Sequence, residues 1–197
     1  VALVDRAKNM ILKPKEEWPV VAAEPATIPE IFTGYIIPLA AIGPIATIIG
    51  MTLFGKMGYH FSIVTTVVIA VTSYIATLIG CFVLAIIAEM LAPSFGGVKD
   101  RVAGLKLAAY SSTPAWVAAI AGIFPPIGII ALIGGLYSLY VLYLGVSDTM
   151  KVPQEKAVGF VVVLILCAIL LYFVIGLVVA AVTIPAMLMS GGMGAYR

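Results

Sequence analysis

AVGFVVVLILCAILLYFVIGLVVAAVTIPAMLM, residues 157–189, contains no Asp, Glu, Lys or Arg. The hydrocarbon core of a bilayer needs roughly 20 apolar residues of helix, and this run exceeds that. At about 1.5 Å of rise per residue it outreaches one bilayer thickness, so it is expected to tilt, kink or emerge. It lacks the period-two alternation of a barrel strand, and lipid offers no partner to an unpaired backbone group. A helix is the only conformation that fits.

Four further apolar runs lie upstream, at residues 31–54, 61–91, 104–122 and 127–146. The chain as a whole is 63% hydrophobic and 10% charged, far from the balance of a water-soluble domain. The expected fold is therefore an all-α integral membrane bundle of about five helices. A leader at residues 1–30 precedes this domain (31–190), and a short tail (191–197) follows it. No cleavable signal pattern closes the first run, so that run is expected to stay in the membrane. Tight turns are expected at Gly55–His60 and at Pro125-Pro126, and charged loops at residues 92–103 and 147–156.

Basic residues set the orientation. With the N-terminus inside, the inner segments hold Arg6, Lys8, Lys13, Lys15, Lys99, Arg101, Lys106, Lys151 and Lys156. The outer ones hold Lys56 and Arg197. This imbalance predicts an N-in, C-out chain. In the leader, Val4, Ala7 and Ile11 share a helical face away from Arg6, Lys8 and Lys13. That pattern fits an in-plane helix drawn to anionic headgroups, or else a frayed terminus.

Catalytic chemistry is poorly supplied. His60 is the only histidine and sits at an expected boundary, so no histidine pair is available for a metal. Cys81 and Cys167 lie inside apolar runs and read as small hydrophobes. No paired carboxylates share a span, and neither a phosphate loop nor a nucleic-acid surface is present. No catalytic residue, metal or cofactor is expected.

The candidate intramembrane features are polar or conformational. Tyr110-Ser111-Ser112-Thr113-Pro114 places three hydroxyls beside a proline that removes one helical hydrogen bond. They either heal the break or line a small polar site, with Pro38 and Pro44 forming a second irregular wall. Thr72, Ser73 and Thr77 belong to a small, polar stripe on the second run, suited to helix packing or a water-lined path. Glu89 either pairs with Lys99, Arg101 or Lys106 or forms an ion or proton site. Small-xxx-small pairs including Gly50, Gly80, Gly135 and Gly176 point to close helix packing.

LKPKEEWPVVAAEPATIPEIFTGYIIPLAAIGPIA (residues 12–46) resembles the start of a bacterial member of the Yip family. GLKLAAYSSTPAW, with Ala109, Tyr110 and Pro114, is similar to that family's third span. GGLYSLYVLYLGVSDTMKVPQEKAVGF resembles the end of its fourth span and the loop beyond. The resemblance implies five spans with a cytoplasmic N-terminus and brings no known reaction. Eukaryotic members, named for interaction with Ypt/Rab GTPases, carry an Asp-Leu-Tyr-Gly-Pro motif in a longer N-terminal region. This chain has no equivalent, so a Rab-type partner is not expected. Two readings follow: a non-enzymatic protein organising lipids or membrane partners, as a homo-oligomer or part of a complex, or a homo-oligomeric transporter or channel for a small solute or ion.

Overall fold

The computed structural model describes residues 2–54, 62–124 and 127–189. The expected turn around His60, the Pro125-Pro126 hairpin and the tail beyond Ser190 lie outside the described residues. Within them the fold is all-α. The leader folds into α1 (Leu3–Leu12) and α2 (Pro14–Ala23). Pro14 opens α2, where its missing N–H costs nothing.

The first long element starts at Thr27, whose side chain and that of Glu30 form a capping box. It runs as α3 (Ile28–Ile31), a π-turn (Phe32–Ile36), α4 (Ile37–Ala40) and α5 (Ile42–Leu53). The wide turn lies just ahead of Pro38, with the Ile37 N–H donating five residues back to Phe32. Pro44 falls in the first turn of α5, a tolerated position. Where the ladder breaks, the Tyr74 hydroxyl donates to the Ile37 carbonyl at 2.8 Å.

α6 (Ile63–Leu91) leads through a 3-10 turn (Ala92–Phe95) toward α7 (Arg101–Ser111). Next come α8 (Thr113–Ala118), a 3-10 turn (Ala119–Ile123), α9 (Ile129–Met150) and α10 (Gln154–Met189). Four stretches are long and apolar enough to cross a membrane: Ile28–Leu53, Ile63–Phe95, Ile129–Met150 and Gln154–Pro185. The third expected span differs, because the break at Ser112 divides it and Lys106 lies near its start.

Packing is concentrated at one end, here called the base. There Val141, Val146 and Met150 of α9 and Phe160 and Leu164 of α10 are buried with Trp18 and Val21 of the leader. Away from the base, α10 exposes Leu166, Ile169, Leu170, Phe173, Leu177 and Val178, among others. In water each would forfeit about 1.5–3 kcal/mol, which together rivals the ~5–15 kcal/mol stability of a whole domain. Lipid removes that penalty.

The leader is helical and docked on the bundle. α1 buries Arg6, Ala7 and Met10 against the bundle, while Val4 is exposed. The Trp18 indole N–H donates to the Val141 carbonyl at 2.9 Å, and its ring fills the space that a side chain on Gly145 would occupy. The Tyr137 hydroxyl donates to the Ile11 carbonyl at 2.8 Å. Tertiary bonds to α9 therefore hold both leader helices.

Candidate functional site

Pro114 cannot return a hydrogen bond to the carbonyl of Tyr110, and the neighbouring hydroxyls take up the freed groups. Thr113 Oγ1 donates to Tyr110 O at 2.8 Å, Ser112 Oγ to Ala108 O at 2.7 Å and Ser111 Oγ to Ala108 O at 3.3 Å. On the far side of the break, the Ala115 N–H leaves its own helix and donates to Ser138 Oγ of α9 at 3.0 Å. With the Thr113 proton committed to Tyr110 O, the 2.7 Å contact between Tyr35 and Thr113 makes the tyrosine the donor.

A cavity of about 650 Å³ adjoins the break, between α6, α8, α9 and α10. Ser111, Ser112 and Ser138 reach its wall, but Trp116, Leu142, Leu164 and Phe173 are typical of the rest. Since these hydroxyls already serve the backbone, the cavity offers an apolar lining and no ionisable group other than Tyr172.

The other residues singled out from the sequence do not join it. Thr77 Oγ1 donates to Ser73 O of its own helix at 2.9 Å. Thr72 lines a separate apolar groove of about 420 Å³ between α6 and α10. Glu89 pairs with Arg101 across the α6–α7 connection, so the ion pair, rather than an ion or proton site, describes its contacts. Pro38 and Pro44 belong to the first long element and line none of these spaces. A side chain on Gly50 would collide with the Gly122 carbonyl, and one on Gly80 would press on Tyr172 at 3.0 Å. Gly135 and Gly176 make no such contact within the chain: a Cβ at either meets nothing within 4 Å. Their helix faces point away from the bundle.

The densest polar assembly involves residues whose partnership sequence reasoning missed. Arg6 donates to Glu17 at 2.5 Å and to both oxygens of Glu24 at 2.5 Å. Asn9 adds a bond to Glu17 at 3.1 Å. Desolvation, the largest influence, pulls the Arg6 pKa down, but hydrogen bonding and attraction from Glu24, with attraction from Glu17, carry the net shift upward. Lys106 Nζ donates to the carbonyls of Val21 and Glu24, capping the end of α2. The available signal was the seven-residue spacing of Glu17 and Glu24, which returns to nearly the same helical face. Among the described residues, no group of three or more His, Cys, Asp and Glu is placed to hold a metal.

Long apolar helices with outward-facing aliphatic side chains, and polar groups tied to backbone or to each other, define a multi-pass all-α membrane protein. The chain belongs to the Yip family: the Yip1 domain matches residues 8–192. It is similar to the inner membrane protein YohC of Escherichia coli strain K12, with 26% identity over 158 residues, covering 75% of this chain and 80% of that protein. The protein of the same name from E. coli O6:H1 strain CFT073 matches to the same extent. No solved structure matches.

Proposed function

We propose that this is a non-enzymatic component of the bacterial inner membrane that organises lipids or membrane partners through surfaces within the bilayer. The apolar cavity beside the α7–α8 break carries this reading, because its hydroxyls serve the backbone and its remaining wall suits an acyl chain. The name of the E. coli relatives supports the inner-membrane location.

The chain crosses five times with its N-terminus in the cytoplasm. Supporting this, Val98 N donates to Met150 O at 2.8 Å, joining the two basic loops, and Lys106 joins the same end to the leader. Such clustering of positive charge suits the cytoplasmic face. The decisive measurement is reconstitution in sealed vesicles. An organising protein captures lipid or a second copy in native mass spectrometry without moving solutes. Solute flux abolished by filling the cavity, for example with Ser138→Phe, would overturn the reading in favour of a transporter.

A further inference from the structure

We infer that one phospholipid lies along the outer side of the α9–α10 seam, its acyl chain in the apolar cavity and its phosphate diester at Lys15. This rests on the reading above, which already gives the cavity an acyl chain, and adds the headgroup and the path between them.

Two spaces share the seam. The cavity takes Ser138, Leu139 and Leu142 from α9, and its α10 wall runs from Leu164 to Phe173. Toward the base lies a polar cleft of about 390 Å³, lined by Tyr143, Ser147 and Asp148 of α9 and by Gln154 and Ala157 of α10. Lys15, in the first turn of α2, completes its lining. On α9, Leu142 and Tyr143 are chain neighbours. On α10, Ala157 and Leu164 lie seven positions apart, on nearly one helical face.

An exposed apolar track connects the two. Val158, Val162, Ile169 and Phe173 are all exposed, and spacings of four, seven and four residues keep them on one stripe of α10. Leu139 is exposed on the facing edge of α9, whereas Leu84, Leu142, Leu164 and Trp116 deeper in the cavity are buried. The cavity thus opens sideways, into lipid. From Leu164 to Phe173 the helix rises about 14 Å, close to half of the ~30 Å hydrocarbon core and so to one leaflet.

The cleft selects the headgroup. Lys15 is exposed and has neither an ion pair nor a hydrogen bond among the described residues. The Tyr143 and Ser147 hydroxyls and the Gln154 amide add neutral donors that are likewise uncommitted. A phosphate diester, singly charged and offering only acceptors, complements that set. Asp148 brings a carboxylate to the same cleft and opposes headgroups of higher negative charge. Lys151, whose Nζ donates to the Asp148 carbonyl at 2.7 Å, keeps another positive charge nearby.

The test uses the full chain in detergent and native mass spectrometry. Dioleoylphosphatidylglycerol and dioleoylglycerol supply the same chains with and without a phosphate. Wild type is expected to retain the phospholipid roughly tenfold better, the scale of one charge-assisted hydrogen bond. Lys15→Gln should erase most of that preference, and Asp148→Asn should increase it. Lys8→Gln, at an exposed leader lysine outside the cleft, should change nothing. Ala168→Leu, which narrows the cavity, should weaken both lipids without altering their ratio. Lys15→Gln alters an exposed side chain, so it remains decisive if Ala168→Leu fails to fold. Competition by free glycerophosphoglycerol would mark a soluble diester as the ligand and overturn the inference. So would equal retention of the two lipids by wild type, or an intact preference in Lys15→Gln. If Ala168→Leu still weakens both lipids in that case, the acyl-chain cavity stands without the headgroup site; retention of neither lipid by wild type sinks both.

Discussion

At the scale of single residues, Arg6 and Trp18 decide whether the leader stays attached. Arg6 and Glu17 are both largely buried, and removing one member of a buried ion pair strands the other charge. Arg6→Met is expected to cost roughly 3–5 kcal/mol, and Arg6→Met with Glu17→Leu clearly less, measured by thermal unfolding in detergent. Because the Arg6 pKa is raised, its contribution is complete below the unfolded-state pKa of an arginine and declines only as pH rises through the still higher folded one. Neutral-to-alkaline working conditions therefore do not open the cluster from the arginine side. Trp18→Ala removes a fully buried ring and orphans the Val141 carbonyl from its indole partner. Its expected cost is about 3–5 kcal/mol, with new proteolytic cuts confined to residues 1–30.

At the scale of elements, the broken third helix depends on its neighbour α9. The Ala115 N–H has Ser138 as its bonding partner, so Ser138→Ala leaves a part-buried donor unsatisfied, at about 1 kcal/mol. Ser112→Ala removes a hydroxyl donor outright and leaves only a carbonyl with fewer contacts; its cost should be visibly smaller. Comparing the two melting temperatures in one detergent checks the order. An equal loss would mean that α9 does not support the break. The hydroxyl-rich motif made an interruption legible in the sequence, since proline and lipid together demand repair. Ser138 was not legible, because it lies 23 positions away from its partner and only the crossing of α8 on α9 brings them together.

At the scale of the whole molecule, two expectations separate fold from assembly. Gly50→Leu collides with the Gly122 carbonyl and should destabilise the monomer, whereas at Gly135 and Gly176 an added Cβ meets nothing within 4 Å. If the outward faces pack copies together, Gly135→Leu and Gly176→Leu shift native mass spectra toward monomer while leaving the unfolding temperature nearly unchanged. Unchanged oligomer distributions would exclude these faces from assembly. Crossing number has its own check: reporters in residues 147–156 and after residue 190 should report opposite sides of the membrane.

Hydropathy alone determined that this chain is an all-helical membrane protein, because uncharged runs longer than a bilayer leave the backbone no other state. It also marked Pro114 as a point of strain and placed Glu89 among basic partners. Tertiary structure decided the rest. The apolar pattern of α1 does not name its partners, since lipid and protein surfaces reward the same burial, and only the fold brings Arg6 to Glu17 and Glu24. Small residues likewise permit close approach without requiring it: Gly50 found a neighbouring carbonyl, while Gly135 and Gly176 face outward. Which surfaces meet depends on helix rotation and crossing, and those follow from the packing of the entire bundle.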